Sequence, residues 1–272
     1  MRLRVSQKIK KSEWEKKSRR SFLTLISSFF FGTAGFWILK HTEDDDEVPW
    51  PFRRILKFNE GIWRKLFRHQ TNLENPLAPK IGTNIRANGD IGIIEKLDFK
   101  DWKLIVGTSS NSENISDPNN LVFNLDQLKS LKQVELTEVF KCVEGWSQVI
   151  SYKGVQFSEF LTAMKLGRRS ASHGADKDQF DLSSMYSFVG LKTPDESYYV
   201  SIDMESMLHP KTVLAYEMNG TPISWANGAP LRLIIPVKYG IKNLKKIGYI
   251  YFSDEQPPDY WTEQGYDWYA AL

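Results

Sequence analysis

The sequence predicts an α+β domain in which strands dominate. Three observations carry this. Short β-like runs recur through the second part of the chain, at residues 101–107, 134–140, 186–191, 198–202, 213–218, 231–235 and 247–252. Helical patterns are few there: a short one with Asp126 near its start and one over residues 157–165. Asn219-Gly220 directly follows the run 213–218, a strong signal for a tight hairpin turn. Many strands with few helices fit the α+β class.

At 272 residues the chain suits one or two domains and has ample length for a core. Aromatics make up 13% of it, with nine Trp, so large apolar surfaces are available for burial. The net charge of +3 hides an asymmetry: the first 20 residues hold nine Lys/Arg and two Glu, which leaves the rest mildly acidic. An acidic body gives no argument for nucleic-acid binding. A single cysteine rules out a disulfide scaffold.

Residues 1–20 end in Ser18-Arg19-Arg20 and run into Ser21-Phe22-Leu23, which resembles a twin-arginine export signal. Residues 21–39 carry no charge and come close to the roughly 20 residues that span a bilayer. The expectation is a retained inner-membrane anchor, basic end inside and body in the periplasm; the alternative is a cleaved signal peptide. The acidic run from Glu43 to Glu47 reads as a solvated spacer. Over residues 51–68, Phe52, Ile55, Leu56, Trp63, Leu66 and Phe67 recur at near-helical spacing among basic residues, with Gly61 weakening the middle. This segment lies on a membrane surface, or it is an arm that packs on the domain or on a membrane partner. Residues 70–83 read as a polar linker. The divisions are therefore 1–40, 41–83 and 84–272.

The last division opens with a turn-rich strand entry at 84–92 and a strand at 101–107, followed by a polar loop at 108–120. The run Leu121-Val122-Phe123-Asn124 leads into the short helix. Ser158 is the expected cap of the helix at 157–165. Residues 167–181 form a long polar loop in which Arg168, Arg169 and His173 either line a substrate rim or belong to a surface insertion. His209, in Leu208-His209-Pro210, reads as a residue ordering the turn before Val213, with acid/base work as the alternative.

The chain turns on Phe140-Lys141-Cys142-Val143-Glu144-Gly145-Trp146-Ser147. Cys142 ends a β-like run and precedes a glycine turn, a placement that presents a side chain to a pocket. Three readings stand for it: a core thiol, a nucleophile partnered by a histidine such as His173 or His209, or one soft ligand to a metal whose other donors come from an organic cofactor.

The run Cys142-Val143-Glu144-Gly145-Trp146-Ser147 resembles the molybdenum-ligand motif of the sulfite oxidase family of molybdopterin oxidoreductases. Downstream, Leu214 to Gly220, Asn227-Gly228-Ala229-Pro230-Leu231-Arg232, Tyr239 to Lys245 and the tail around Tyr260-Trp261 and Gly265 to Trp268 are similar to the same family. The resemblance runs from about residue 84 to the C-terminus. It implies a strand-rich sulfite-oxidase-type domain, with no C-terminal immunoglobulin-like dimerisation domain or haem domain expected after it. It implies a molybdenum–molybdopterin cofactor with Cys142 as metal ligand and catalytic residue. Asn227 and Arg232 then match pterin- and phosphate-contacting positions, Asn243, Leu244 and Lys245 a phosphate-binding turn, and Thr193 and Asn88 further cofactor contacts.

The chemistry so implied is two-electron oxygen-atom transfer. Within the family the chain resembles most the periplasmic branch that reduces protein methionine sulfoxide with electrons from a membrane haem–quinol partner. Oxidation of sulfite or another small sulfur compound is the alternative direction. A membrane-tethered binding module without turnover, and a thiol-nucleophile hydrolase using Cys142, are the alternatives from other classes.

Overall fold

The computed structural model describes residues 21–37, 40–41, 44–45, 48–66, 82, 85–93, 101–107, 116–169 and 181–272. The twin-arginine segment, Asn84, His173 and, apart from Gly82, the linker at 70–83 lie outside the described residues. The chain divides into two compact units, residues 1–69 and 70–272.

In the first unit, residues 21–37 form helix α1. A two-strand hairpin pairs β1 (Asp44–Asp45) with β2 (Val48–Pro49), and helix α2 (Trp50–Leu66) follows it. Among the described residues no helix is long and apolar enough to cross a membrane. The described part of α1 stops short of the roughly 20 residues a span needs; Ile38 and Leu39 lie outside the described residues.

The second unit is built from two five-stranded sheets, which bears out the strand-dominated α+β reading. One sheet orders β4 (Leu121–Phe123), β3 (Leu104–Val106), β12 (Tyr249–Ser253), β7 (Phe188–Lys192) and β8 (Tyr199–Asp203). All its pairs are antiparallel except β12 with β3. The other orders β10 (Thr221–Pro222), β9 (Val213–Met218), β6 (Ser147–Gln156) and β5 (Gln133–Lys141), with β11 (Arg232–Ile234) also on β9. The Asn219-Gly220 hairpin forms, with both residues at positive φ, the backbone that such a turn requires. Strand β6 has no counterpart in the sequence reading, because Gly154 and the polar residues at both its ends break the alternation that marks a strand.

Helices are few and short. Helix α3 (Leu125–Lys129) begins on a capping box between Asn124 and Gln127. Helix α4 (Phe157–Met164) has Gln156 at its N-cap and no side-chain cap. Ser158, the expected cap, lies inside the helix, where its carbonyl accepts a hydrogen bond from Thr162 Oγ1. Helices α5 (Met204–Met207) and α6 (Tyr260–Glu263) are single turns capped by Asp203 and Asp259.

The period-2 alternation of β9 gives its sheet two apolar faces. Leu214 and Tyr216 point into the main core, with Leu104, Val189, Leu191, Ile250 and the α4 residues Phe157, Phe160 and Leu161. Val213 and Ala215 point the other way, into a smaller cluster with Ile150, Tyr152 and Met218. Fully burying each large aliphatic or aromatic side chain contributes roughly 1.5–3 kcal/mol, so the main core is what holds the two sheets together. The smaller cluster floors the site.

Candidate functional site

Five residues, 142–146, connect β5 to β6. The turn is closed by the Cys142 amide donating to the Trp146 carbonyl at 2.9 Å and the Gly145 amide to the Cys142 carbonyl at 3.1 Å. Gly145 takes φ +86°, which a side chain would resist. The ladder below pairs Lys141 with Ser147 and fixes the turn on a rigid hairpin. Cys142 is 8% exposed, and the residue lines a cavity of about 170 Å³.

One wall of the cavity mouth is a polar cluster. Asn88 Nδ2 lies 4.0 Å from Cys142 Sγ and donates to Glu144 Oε1 at 3.0 Å. Trp146 Nε1 donates to Glu144 Oε2 at 2.9 Å, and the Arg86 guanidinium lies over the Trp146 ring, 4.7 Å from its centroid. The hydrogen bonds from Asn88 and Trp146, helped by Arg86, hold the Glu144 carboxyl below the usual range, so it is an anion at neutral pH.

Another part of the lining is cationic. Arg232 on β11 is 4% exposed. Its Nη1 donates to the Asn227 carbonyl at 3.0 Å and approaches Met218 Sδ at 3.9 Å, while its buried Nε has no hydrogen-bond partner among the described residues. Burial pushes its pKa down, yet a guanidinium stays protonated. Lys245 reaches the carbonyls of Asn88, Gly89 (3.0 Å) and Ala226 (3.3 Å). Burial, with the charge of Arg232 beside it, pulls its pKa down to about 8. Among the described residues no carboxylate pairs with either cation. Tyr152 stands near Arg232 with a buried, unpartnered hydroxyl whose pKa burial raises to about 12.

The loops that carry these groups interlock. Gly228 has φ +96°, and a Cβ there would stand 2.6 Å from Lys245 Cβ and 2.8 Å from the Lys246 nitrogen. Only glycine lets the Asn227 turn close on the Lys245 strand of chain. Asn243 spends its side chain on its own loop: Oδ1 accepts from the Ile235 amide at 2.8 Å and Nδ2 donates to the Tyr239 carbonyl at 3.1 Å. Asn227 donates to Ser224 Oγ at 2.9 Å.

Six of the eight residues singled out from the sequence line this one cavity: Cys142, Asn88, Asn227, Arg232, Asn243 and Lys245. The side chains of Thr193 and Leu244 are not among its lining. Leu244 is fully buried in the main core. Thr193 holds the turn that presents Tyr198, a cavity residue, by donating to Asp195 Oδ1 at 2.6 Å and accepting from the Tyr198 amide at 3.2 Å. Arg169 is tied to Asp254, with further bonds to Ser183 and Ser187, and so cross-links its loop rather than facing a substrate. His209 accepts from the Lys211 amide at 3.2 Å and orders the turn before Val213, as expected.

Sequence reasoning did not assign Arg86, Glu144, Trp146, Tyr152, Tyr198, Trp261 and Tyr266, which also line the cavity. Glu144 and Trp146 stood inside the motif run itself. Trp261 and Tyr266 stood in the tail that resembles the family, without a role assigned to them; Arg86, Tyr152 and Tyr198 come from distant segments, and nothing local marks them.

Residues 91–261 match the family described as oxidoreductase molybdopterin binding domain. A protein of Azospira oryzae, named provisionally as the protein-methionine-sulfoxide reductase subunit YedZ1, is 37% identical over 232 residues, covering 84% of this chain and 79% of the relative. The protein-methionine-sulfoxide reductase catalytic subunit MsrP of Campylobacter jejuni is 28% identical over 190 residues, 67% of this chain and 60% of the relative. MsrP of Xanthomonas campestris is 35% identical over 141 residues, 52% of this chain and 43% of the relative. The match thus spans about half the length of these MsrP proteins. The sulfane dehydrogenase SoxCD from Paracoccus pantotrophus overlaps 60% of this chain and 40% of its own at a TM-score of 0.47 and 18% identity, too loose a likeness to add to the family match.

Proposed function

Since this chain belongs to the molybdopterin-binding oxidoreductase family, we propose that it reduces a sulfoxide, such as methionine sulfoxide, at a molybdenum–molybdopterin centre held in the cavity around Cys142. The observation that carries the reading is Arg232: a buried cation with an unpartnered Nε and no carboxylate beside it. An uncompensated buried charge costs several kcal/mol, so the site is built for an anion from outside the chain. A phosphorylated pterin is such an anion, and Arg232 and Lys245 are the donors suited to it. Cys142 is the one thiol available to a metal.

When bound, the cofactor supplies two-electron oxygen-atom transfer: the sulfoxide takes up two electrons and two protons and leaves as thioether and water. The chain's part is to bind, orient and exclude water. Asn227, with the backbone around Asn243 and Leu244, holds the pterin end. Asn88 and Glu144, joined by their hydrogen bond, border the Cys142 sulfur and order the mouth. Trp146, Trp261 and Tyr266 wall the opening, where an apolar thioether side chain would enter. The residues from 84 onward form the catalytic part, with 1–40 as export signal and apolar segment and 41–83 as spacer and linker. Export by the twin-arginine route places the body in the periplasm, with electrons from a membrane haem–quinone partner.

The test is turnover by molybdenum-loaded protein from a molybdopterin-competent host. Reduced viologen consumed with free or peptide methionine sulfoxide is the expected outcome. Dye reduction driven by sulfite, with no sulfoxide turnover, would reverse the direction. Loaded protein inert in both directions would favour a binding module.

A further inference from the structure

Helix α2 carries two faces of opposite character. At 3.6 residues per turn, Phe52, Ile55, Leu56 and Ile62 share one side and Arg54 and Lys57 the other. Within the helix five residues are basic and one is acidic. In a helix packed on a protein core the apolar side is covered. Here the arrangement is inverted: Phe52 is 47% exposed, Ile55 55%, Leu56 47% and Ile62 38%, whereas Arg53 is buried. The neighbouring α1 is uncharged and likewise open, with Phe29, Phe30 and Phe31 at 67–80% exposure.

We propose that α2 lies in the plane of a bilayer's polar–apolar interface, with Phe52, Ile55, Leu56 and Ile62 among the acyl chains and Arg54 and Lys57 against anionic headgroups. A hydrophobic face with cations on the opposite, polar side of a single helix is the pattern that anionic lipid recognises. A protein groove would also cover the apolar side, but it gives no reason for an excess of cations on the other. The uncharged α1 in the same unit is a second apolar segment suited to lipid. Where the chain sits does not depend on which substrate it turns over.

The experiment is amide hydrogen exchange on the full chain reconstituted into two vesicles, phosphatidylcholine alone and phosphatidylcholine with one third phosphatidylglycerol. Segment α1 and the basic residues 1–20 are the same in parent and variants, so the serine variant isolates the charge on α2. Each exposed cation near an anionic surface is worth roughly a fivefold change in partitioning, so α2 amides exchange about tenfold or more slowly on the phosphatidylglycerol vesicles. Arg54→Ser with Lys57→Ser returns that rate to the phosphatidylcholine value. Ile55→Glu with Leu56→Glu removes protection on both, with molybdenum content and thermal unfolding unchanged because these side chains are exposed. Equal exchange on the two vesicles overturns the proposal, as does protection that the serine variant retains. Protection that arises only after membrane proteins are added overturns it in favour of a protein groove.

Discussion

Lys242 and Asp259 form an ion pair of 2.5 Å with both side chains 2% exposed. The pair joins two parts of the site. Lys242 ends the short turn that leads into Asn243 and Lys245. Asp259 caps α6, which carries Trp261, and also accepts from the Ser201 amide at 2.9 Å. Removing one partner leaves the other as an uncompensated buried charge.

Asp259→Asn is therefore expected to lower stability by about 3–5 kcal/mol. Lys242→Met combined with Asp259→Asn is expected to recover at least half of that, since no buried charge remains. Urea midpoints of the two variants check this. A loss under about 1 kcal/mol for the single variant, or a double variant no better than the single, would count against the pair as the link between turn and wall.

Arg232 yields a prediction of opposite signs. Arg232→Met removes a buried cation that no carboxylate balances, so the cofactor-free chain is expected to gain about 1 kcal/mol or more. The same variant is expected to retain far less molybdenum, because the anion it served has lost its donor. Thermal unfolding of cofactor-free protein and elemental analysis of loaded protein read the two effects separately. A cofactor-free variant less stable than its parent would mean that the bond to the Asn227 carbonyl and the contact with the Phe140 ring outweigh the cost of the buried charge.

The pH dependence follows from Lys245, whose pKa burial lowers from 10.5 to about 8. Below pH 8 both the folded and the unfolded chain hold this proton, and burying the charge opposes folding. Between about 8 and 10.5 the folded chain has released it while the unfolded chain still binds it, so this group's contribution to stability rises with pH across that window. Lys245→Gln is expected to flatten the rise in the cofactor-free protein. Denaturant midpoints at several pH values, parent minus variant, measure it. A difference that is level from pH 7 to 10 would remove Lys245 from the cationic end.

Much of the site was legible because its chemistry is local in sequence. Cys142 stands at a strand end followed by Gly145, and the β5–β6 turn does present it. Asn227, Gly228 and Arg232 lie within six residues of one another, and one turn and one strand bring them together. What stayed hidden depends on contacts between distant segments. Asn88 and Glu144 meet across 56 positions, and Tyr198 reaches the cavity only because Thr193 shapes the turn before it. Strand β6 escaped because Gly154 and polar residues blur its period, and its place between β5 and β9 overrides weak local preference. Ser158 failed as a cap because the helix starts at Phe157, directly off β6, with no free turn for a capping side chain.

On the proposed function, the cavity around Cys142 holds a molybdenum pterin through that thiolate. The most direct measurement is molybdenum per chain, by elemental analysis, in protein made by a molybdopterin-competent host, with Cys142→Ser prepared alongside. About one molybdenum per chain is expected in the parent, with sulfoxide turnover lost in the variant. Well-folded parent protein without molybdenum, or a serine variant with full metal and full turnover, would contradict it.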